Sequence, residues 1–320
     1  MTAPMTDPMT SPVRVGTRGS ALARAQTGWL VRQLEAAGVA CETVVVRTEG
    51  DRSATPLVQL AGETGGTGIF TSALRDALLV GDIDLAVHSA KDLPTAPAAG
   101  IATAAMPERE DPADVLVAVD GADLAGLPPG ARVGTGSPRR AAQLRAVRPD
   151  VDVVEVRGNV DTRLGMVGHG LDAVVLAAAG LARLGRSRVG VRLAFDVMLP
   201  APGQGALAVE AREDDVPGGA DGIGGAAWAD AVRAIDHRDT RASVCAERAI
   251  LATLEAGCAS PIGALAWVDA DGLRLEAVVL ASDGTVLARG RGQGPPHEAG
   301  PVGDRVAREL LAVDVVRQQT

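Results

Sequence analysis

Long apolar runs, cysteine and lysine are all scarce in this sequence of 320 residues. No apolar stretch reaches the ~18 residues that a membrane-spanning helix needs, so no membrane partner is expected. The first twelve residues have neither a charged start nor an apolar centre, and they are typical of a disordered tail rather than a signal peptide. These absences predict a cytoplasmic protein.

The three cysteines are Cys41, Cys245 and Cys258. An odd number without a secretory signal predicts free thiols, one of which is a candidate reactive group. They share no recognised ligand spacing with the histidines, so no metal site is expected.

The charge also excludes one class of partner. A formal net charge of -9 argues against broad electrostatic binding to nucleic acid, so any bound anion should be small and held by a local group of cations. Lys91 is the only lysine among 31 basic residues. Because an ammonium and a guanidinium differ in chemistry, a single retained lysine suggests a specific use for it.

Length and a hydrophobic content of 47% predict two or three packed domains. In the first two-thirds, short β-branched runs alternate with helical patterns, which indicates α/β layers with mostly parallel sheets. Ser20 is the expected N-cap of a helix that presents Leu22, Ala25, Trp29 and Leu34 on one face. The predicted strands are 13–16, 43–47, 83–87, 115–119, 133–135, 151–156 and 173–176.

The pattern changes after about residue 230. A helix is predicted over 239–255, followed by three strands (265–268, 273–280 and 286–289) and a last helix over 305–316. Asp271-Gly272 and Asp283-Gly284 are strong hairpin signals between those strands. The result is a small α+β domain with an antiparallel sheet, joined through the glycine-rich segment 217–225.

The segment 134–140 predicts an anion site. A strand ends there, Ser137 is placed to cap a helix, and Pro138 suits the first helical position. Arg139 and Arg140 then fall in the first turn, where the helix dipole disfavours cations unless an anion lies nearby. The alternative is that both arginines are solvated. The segment lacks the third glycine of a dinucleotide fingerprint and the lysine of a P-loop.

More cations follow other predicted strands. Gly158 and Asn159 allow a tight turn with positive φ that would bring Arg157 and Arg163 together, and Arg18 follows the first strand. Ligands of parallel sheets lie beyond the carboxyl ends of strands. A solvated charged loop is the alternative.

Two further segments have reactive residues. Lys91 and Asp92 follow an apolar strand, where Asp92 could oppose a developing cation or move a proton and Lys91 could hold an anion; an ordinary exposed pair is the alternative. Cys258 lies in a loop of small residues after a helix end, as an attachment site or nucleophile requires, although an inert buried cysteine fits as well.

Taken in order, these motifs resemble the hydroxymethylbilane synthase (porphobilinogen deaminase) family over nearly the whole chain. The segments that match are 15–23, 65–70, 88–94, 134–140, 157–164, 178–181, 200–206 and 257–263. The resemblance implies a monomer of three domains, of which two resemble type II periplasmic binding protein lobes and the third is small and bears the cofactor. The expected division is a tail at 1–12, domain 1 at 13–107 plus 206–225, domain 2 at 108–205 and domain 3 at 230–320.

The resemblance also implies the chemistry. Such an enzyme is a transferase of porphyrin and haem biosynthesis that deaminates four porphobilinogens and joins them into the linear tetrapyrrole hydroxymethylbilane, releasing ammonia. The growing chain is held on a dipyrromethane cofactor, here linked to Cys258. The residue matched to the catalytic position is Asp92, which would contact pyrrole N–H groups and steady the azafulvene-like cation.

The remaining site residues are also assigned through the resemblance. The cofactor-binding positions are Ser89, Lys91, Asp92, Thr135, Ser137, Arg139, Arg140 and Cys258. The substrate-binding positions are Arg18, Ser20, Phe70, Arg157, Arg163 and Arg183. Two other functions fit parts of the pattern: a non-enzymatic anion-binding module, and a transferase that uses Cys258 as a transient nucleophile but has no histidine partner nearby in sequence.

Overall fold

The computed structural model describes residues 11–46, 71–216, 226, 228–256 and 260–313. Phe70, Cys258, the glycine-rich segment 217–225 and most of the predicted tail lie outside the described residues. Among the described residues no helix is both long enough and apolar enough to cross a membrane.

The first sheet has five strands in the order β2-β1-β3-β10-β4. Strands β1, β2, β3 and β4 run in one direction and β10 is reversed, because β10 pairs antiparallel with both of its neighbours. The bounds are β1 Val13–Thr17, β2 Cys41–Val45, β3 Leu85–Ser89, β4 Ile101–Ala105 and β10 Leu207–Arg212.

The second sheet repeats this plan in the order β7-β6-β8-β5-β9, and here β5 is the reversed strand. The bounds are β5 Asp114–Ala118, β6 Arg132–Thr135, β7 Asp152–Glu155, β8 Ala173–Ala177 and β9 Val191–Arg192. The prediction of mostly parallel sheets is confirmed. The sequence patterns missed β4, β9 and β10, and they did not indicate that each sheet has one reversed strand.

The third sheet is antiparallel, in the order β11-β12-β13, with bounds β11 Ile262–Asp269, β12 Gly272–Leu280 and β13 Val286–Gly294. Gly272 and Gly284 have φ of +117° and +100° at the two predicted hairpins. The predicted α/β class with a small antiparallel α+β unit is confirmed. The chain builds β1 to β4, crosses to the second sheet and returns to the first through β10. The exact domain boundaries stay a prediction.

The described residues form eight α-helices. Their bounds are α1 Ala21–Ala36, α2 Ser72–Leu79, α3 Pro138–Val147, α4 Val160–Leu164, α5 Ala178–Arg183, α6 Ala229–Ala234, α7 Arg238–Thr253 and α8 Ala299–Leu311. The two predicted caps are confirmed. The Ser20 hydroxyl accepts a hydrogen bond from the backbone N–H of Ala23, and the Ser137 hydroxyl accepts one from the backbone N–H of Arg140.

Of the residues predicted to share one face of α1, Leu34 is buried and Trp29 packs, partly buried, against the first sheet's core. The residues that α1 buries are Gln26, Thr27, Leu30 and Leu34, while Leu22, Ala25 and Trp29 are half-buried. Gln26 can be buried there because its side chain donates a hydrogen bond to the Ser89 hydroxyl at 2.8 Å.

Each sheet has its own core. In the first, Leu30 and Leu34 of α1 pack on Val15, Leu85 and Val209 of the sheet. In the second, Leu144 of α3 packs on Leu116 and Val133. In the third, α7 and α8 cover the sheet through residues that include Ile250, Val302 and Val306.

A smaller apolar cluster joins the second and third sheets. In it, Ala142 of α3 and Leu199 pack against Leu265 and Val278 of the antiparallel sheet. The face of the third sheet that α7 and α8 do not cover therefore packs against residues of the second sheet's layer and is not fully exposed to solvent.

Candidate active site

The candidate site forms where parallel strands end and reversed strands begin. The last residue of β3, Ser89, pairs with Leu207, the first residue of β10. In the second sheet, Ala177 at the end of β8 pairs with Asp114, the first residue of β5. Residues that follow β3 and β8 therefore lie next to residues at or before the start of β10 and β5, at the carboxyl ends of the parallel strands.

Asp114 is the central anion of this edge. Its side chain is fully buried and accepts hydrogen bonds from Arg139 Nη2 at 2.7 Å, from Arg140 Nε and Nη2 at 3.0 and 2.8 Å, and from Gln204 Nε2 at 2.8 Å. Burial alone would raise the pKa of Asp114, but the charges and hydrogen bonds of the two arginines lower it to about 2. Asp114 is therefore ionised and holds both guanidinium groups in place.

This arrangement decides between the two interpretations of the helix-start arginines. Arg139 and Arg140 are only 3% and 5% exposed, so they are not solvated. The carboxylate that they meet belongs to the chain itself, and the sequence analysis missed it. Asp114 gave a weak signal, since it is the second acidic residue of the segment Asp111-Pro-Ala-Asp114 directly before a β-branched run.

Gln204 connects the two sheets at this edge. Its side chain is 1% exposed, and its Oε1 accepts from Lys91 Nζ at 3.3 Å and from Arg140 Nη2 at 3.5 Å. Lys91 follows β3, so the lone lysine and the arginine pair belong to one group of side chains. Burial, and then the nearby charge of Arg140, lower the pKa of Lys91 to about 8, although the charges of Asp92 and Asp114 oppose the shift.

The group has more cations than its own carboxylates neutralise. Burial, and then the charge of Arg140, lowers the pKa of Arg163, which places a further cation near the same cluster. Within the part of the chain that the structure describes, the buried Nε of Arg139 has no hydrogen-bond partner. An unsatisfied buried donor and mutually repelling cations are the features expected of a site for carboxylate groups.

Asp92 lies beside this cluster on a short 3₁₀ turn, Ala90–Asp92, that follows β3. Its side chain is exposed, and its carboxylate receives no hydrogen bond from any described residue. The backbone of the turn is fixed: Ala90 N–H donates to the carbonyl of Ala206 at 3.0 Å, and Gly203 approaches so closely that a Cβ there would lie 3.1 Å from Lys91 N. Asp92 is thus an accessible carboxylate on a rigid turn.

The hydroxyl residues that were predicted at the site have local roles. Ser89 accepts the hydrogen bond from Gln26 described above. Thr135 is buried and its hydroxyl accepts from the Ser137 backbone N–H at 3.2 Å, which shapes the turn between β6 and α3. Ser20 caps α1.

The predicted substrate arginines are distributed around both sheets. Arg18 is half-buried just after β1, and Arg183 Nη2 at the end of α5 donates to the carbonyl of Gly205 at 2.7 Å. Because Gly180 of α5 lies against Leu22 of α1, the ends of these elements are neighbours.

Arg157 and Arg163 lie on the second sheet's side. Arg157 pairs with Glu155 at 2.9 Å, and Arg163 Nε donates to the carbonyl of Gly158 at 2.9 Å. Gly158 has a positive φ of +100°, as predicted, but Asn159 instead caps α4 with φ of -75°.

A second buried carboxylate supports the site from helix α7. Glu247 is fully buried, and it accepts from both terminal nitrogens of Arg109 at 2.6 and 3.0 Å. It also accepts from the backbone N–H groups of Gly203 at 2.6 Å and Ala266 at 2.8 Å. The third sheet and the turn that approaches Lys91 are therefore held by one side chain, which the sequence analysis did not single out.

Comparisons with known proteins identify the class. Residues 13–217 match the family described as "Porphobilinogen deaminase, dipyromethane cofactor binding domain", and residues 242–312 match "Porphobilinogen deaminase, C-terminal domain". Porphobilinogen deaminase from Nocardia farcinica is 51% identical over 312 residues, covering 94% of this chain and 86% of that protein. Porphobilinogen deaminase from Thermobifida fusca is 54% identical over 285 residues, covering 88% and 85%. The class is a transferase of tetrapyrrole biosynthesis that acts on a small molecule and uses a dipyrromethane cofactor.

The chain belongs to the porphobilinogen deaminase family, and the resemblance seen in its motifs is confirmed. Among solved structures, a periplasmic substrate-binding protein of an ABC transporter from Coxiella burnetii is 16% identical with a TM-score of 0.40, covering 70% of this chain and 91% of that chain. The methionine-binding protein MetQ is 12% identical with a TM-score of 0.41, covering 69% and 89%.

Proposed function

We propose that this chain deaminates four porphobilinogens and joins them into hydroxymethylbilane at the edge shared by its two larger sheets, with Asp92 as the catalytic residue and Cys258 as the attachment point. We further propose that it works as a cytoplasmic monomer. The observation that supports the site most strongly is the excess of cations, formed by the half-buried Lys91 and the buried Arg139 and Arg140, beside an accessible carboxylate.

The charge balance of the site fits the ligand. Each porphobilinogen brings two carboxylates, so a chain of pyrroles needs several convergent cations on a protein that is acidic elsewhere. Arginine suits this role because its planar fork binds a carboxylate with two hydrogen bonds. Asp114 keeps Arg139 and Arg140 fixed before any ligand carboxylate arrives, which reduces the cost of ordering them.

The same residues fit a dipyrromethane cofactor. Lys91, Arg139 and Arg140 would hold its carboxylates, and Ser89, Thr135 and Ser137 would support it from the turns after β3 and β6. When bound, the cofactor supplies the pyrrole carbon to which the first substrate is joined. Cys258 is the cysteine that matches the family's attachment position.

Asp92 is proposed to act on the substrate itself. Departure of ammonia from the aminomethyl carbon leaves positive charge on the substrate's pyrrole, and a carboxylate that accepts its N–H opposes that charge. Asp92 suits this role because no described side chain already occupies its oxygens. The contact strengthens as the charge develops, so it lowers the barrier more than it tightens binding.

The arginines outside the central cluster are proposed to bind acetate and propionate groups of the substrate and the growing chain. They belong to elements of both sheets, so a ligand between the sheets could reach them from either side. These arginines are Arg18, Arg157, Arg163 and Arg183, and Ser20 and Phe70 are proposed to contact the substrate beside them.

The intact mass of the protein, purified without added ligand, tests this proposal. We expect a mass that exceeds the sequence mass by two pyrrole units, because the cofactor is assembled from substrate and stays covalently attached. An unmodified mass in cells that make porphobilinogen would contradict the proposal and favour a module that only binds anions.

A further inference from the structure

One guanidinium group holds both ends of the turn that presents Asp92. Arg248, in helix α7, donates from Nη1 to the carbonyl of Ala90 at 3.0 Å and to the carbonyl of Leu93 at 2.9 Å. Its Nη2 donates to the carbonyl of Pro94. These carbonyls lie on either side of Lys91 and Asp92 in the chain.

We infer that Arg248 is a positioning residue that fixes Asp92 for the reaction; the inference rests on the catalytic role proposed for Asp92. Because the Asp92 carboxylate receives no hydrogen bond from any described residue, its location depends on the backbone of its own turn. Arg248 holds the carbonyls of Leu93 and Pro94 after Asp92, so loss of that side chain would release this end of the turn and allow Asp92 to shift.

Arginine is well suited to this contact. Its rigid fork has five N–H donors, so it can bind three carbonyls at once without a change of shape. Burial lowers the pKa of Arg248, but the group stays charged at neutral pH because the ordinary pKa of arginine is so high. The apolar part of the contact comes from Val244, one turn earlier in α7, which packs in a cluster with Ala90 and Leu93.

Helix α7 also leads towards the segment that contains Cys258. Arg248 therefore links the catalytic turn of the first sheet to the helix that precedes the proposed attachment residue.

A purely structural tether is the competing explanation, and Arg241 provides a matched control for it. Arg241 lies on the same helix and is also half-buried; it binds Asp236 with its Nε at 2.9 Å and its Nη2 at 2.7 Å. Its Nη2 approaches the carbonyls of Thr103 and Ala104 at 3.4 and 3.5 Å. It thus ties α7 to the first sheet through β4 and not through the Asp92 turn.

The first experiment compares Arg248→Met with Arg241→Met in cofactor-loaded protein, with loading checked by intact mass. For Arg248→Met we expect turnover to fall about ten- to hundred-fold while KM changes less than about two-fold, since a small misplacement of a reacting group acts on the chemical step. For Arg241→Met we expect a lower melting temperature and near-normal turnover. Equal turnover of the two variants would overturn the inference.

If Arg248→Met does not load the cofactor, Arg248→Lys takes its place in the comparison. A lysine retains the charge but not the fork, so this variant should load cofactor and show turnover between those of the wild type and Arg248→Met. Turnover equal to that of Arg241→Lys, loaded and assayed in parallel, would contradict the inference in the same way.

The second experiment combines Arg248→Met, or Arg248→Lys if only that loads, with Asp92→Asn. If Arg248 acts through the Asp92 charge, its substitution should cost little further turnover once that charge is gone. An undiminished loss in the Asp92→Asn background would show that Arg248 acts elsewhere. Normal turnover of Asp92→Asn alone would refute the role proposed for Asp92, so the two failures are distinguishable.

Discussion

Replacing Asp114 by asparagine tests whether the arginine pair depends on an internal carboxylate. The substitution keeps the size of the side chain but leaves Arg139 and Arg140 buried without a counter-charge. Removing one partner of a buried ion pair costs about 3–5 kcal/mol. The lowered pKa of Asp114 points in the same direction, because a shift from 3.8 to about 2 corresponds to a stabilisation on the order of 2 kcal/mol.

Asp111→Asn is the matched control. Asp111 also pairs with an arginine, Arg192, at 2.8 Å, but the two side chains are 41% and 48% exposed. An exposed pair of this kind contributes about 0–1 kcal/mol. Urea unfolding at pH 7 should therefore show a free-energy loss for Asp114→Asn that is several times the loss for Asp111→Asn.

The pH dependence of the free energy of unfolding gives an independent check that Asp114 stabilises the fold in its ionised form. The folded pKa of Asp114 is depressed, so its contribution is complete above its ordinary pKa of 3.8 and is lost as the pH falls towards about 2. The stability difference between wild type and Asp114→Asn should shrink over that interval. Equal losses for Asp114→Asn and Asp111→Asn at pH 7 would refute the reasoning.

Two further predictions concern the cofactor. Cys258→Ser should fold but lack the two-pyrrole mass increment, whereas the controls Cys41→Ser and Cys245→Ser should keep it. If Cys258→Ser retained the increment, the cofactor would be attached to another residue. Because the pKa of Lys91 is lowered to about 8, its ammonium is lost as the pH rises through that value, so cofactor loading of apo-protein by porphobilinogen should slow above about pH 8. Lys91→Met should load cofactor slowly at every pH and should not show this fall in loading rate above about pH 8. If the fall is unchanged in Lys91→Met, a group other than Lys91 causes it.

Local sequence signals predicted the turns of the site well. Ser20 and Ser137 cap helices because their side chains satisfy backbone N–H groups a few residues away, which is a contact within one segment. The last helix shows the limit of such signals. It was predicted over 305–316, but α8 spans Ala299–Leu311, since Pro301 in the first turn lacks only an N–H that would have no helical partner.

The partners that complete the site were not predictable in the same way. Asp114 and Gln204 reach the cluster because β5 and β10 are reversed in their sheets, and strand direction is set by long-range pairing. Long-range pairing also explains why Gln26 of α1 is buried. Its polar side chain would be expected to face solvent, but it donates a hydrogen bond to Ser89, which lies far along the chain. Hydrophobic periodicity contains no information about such pairs.

Turnover of porphobilinogen by cofactor-loaded Asp92→Asn, followed as ammonia release, tests the central claim most directly. The substitution retains the shape and one acceptor oxygen but removes the charge that opposes the substrate's cation. We predict a fall in turnover of about a hundred-fold or more with little change in melting temperature, and a smaller fall for Asp92→Glu, which keeps the charge. Near-normal turnover by loaded Asp92→Asn would contradict the claim that this carboxylate steadies the reacting pyrrole.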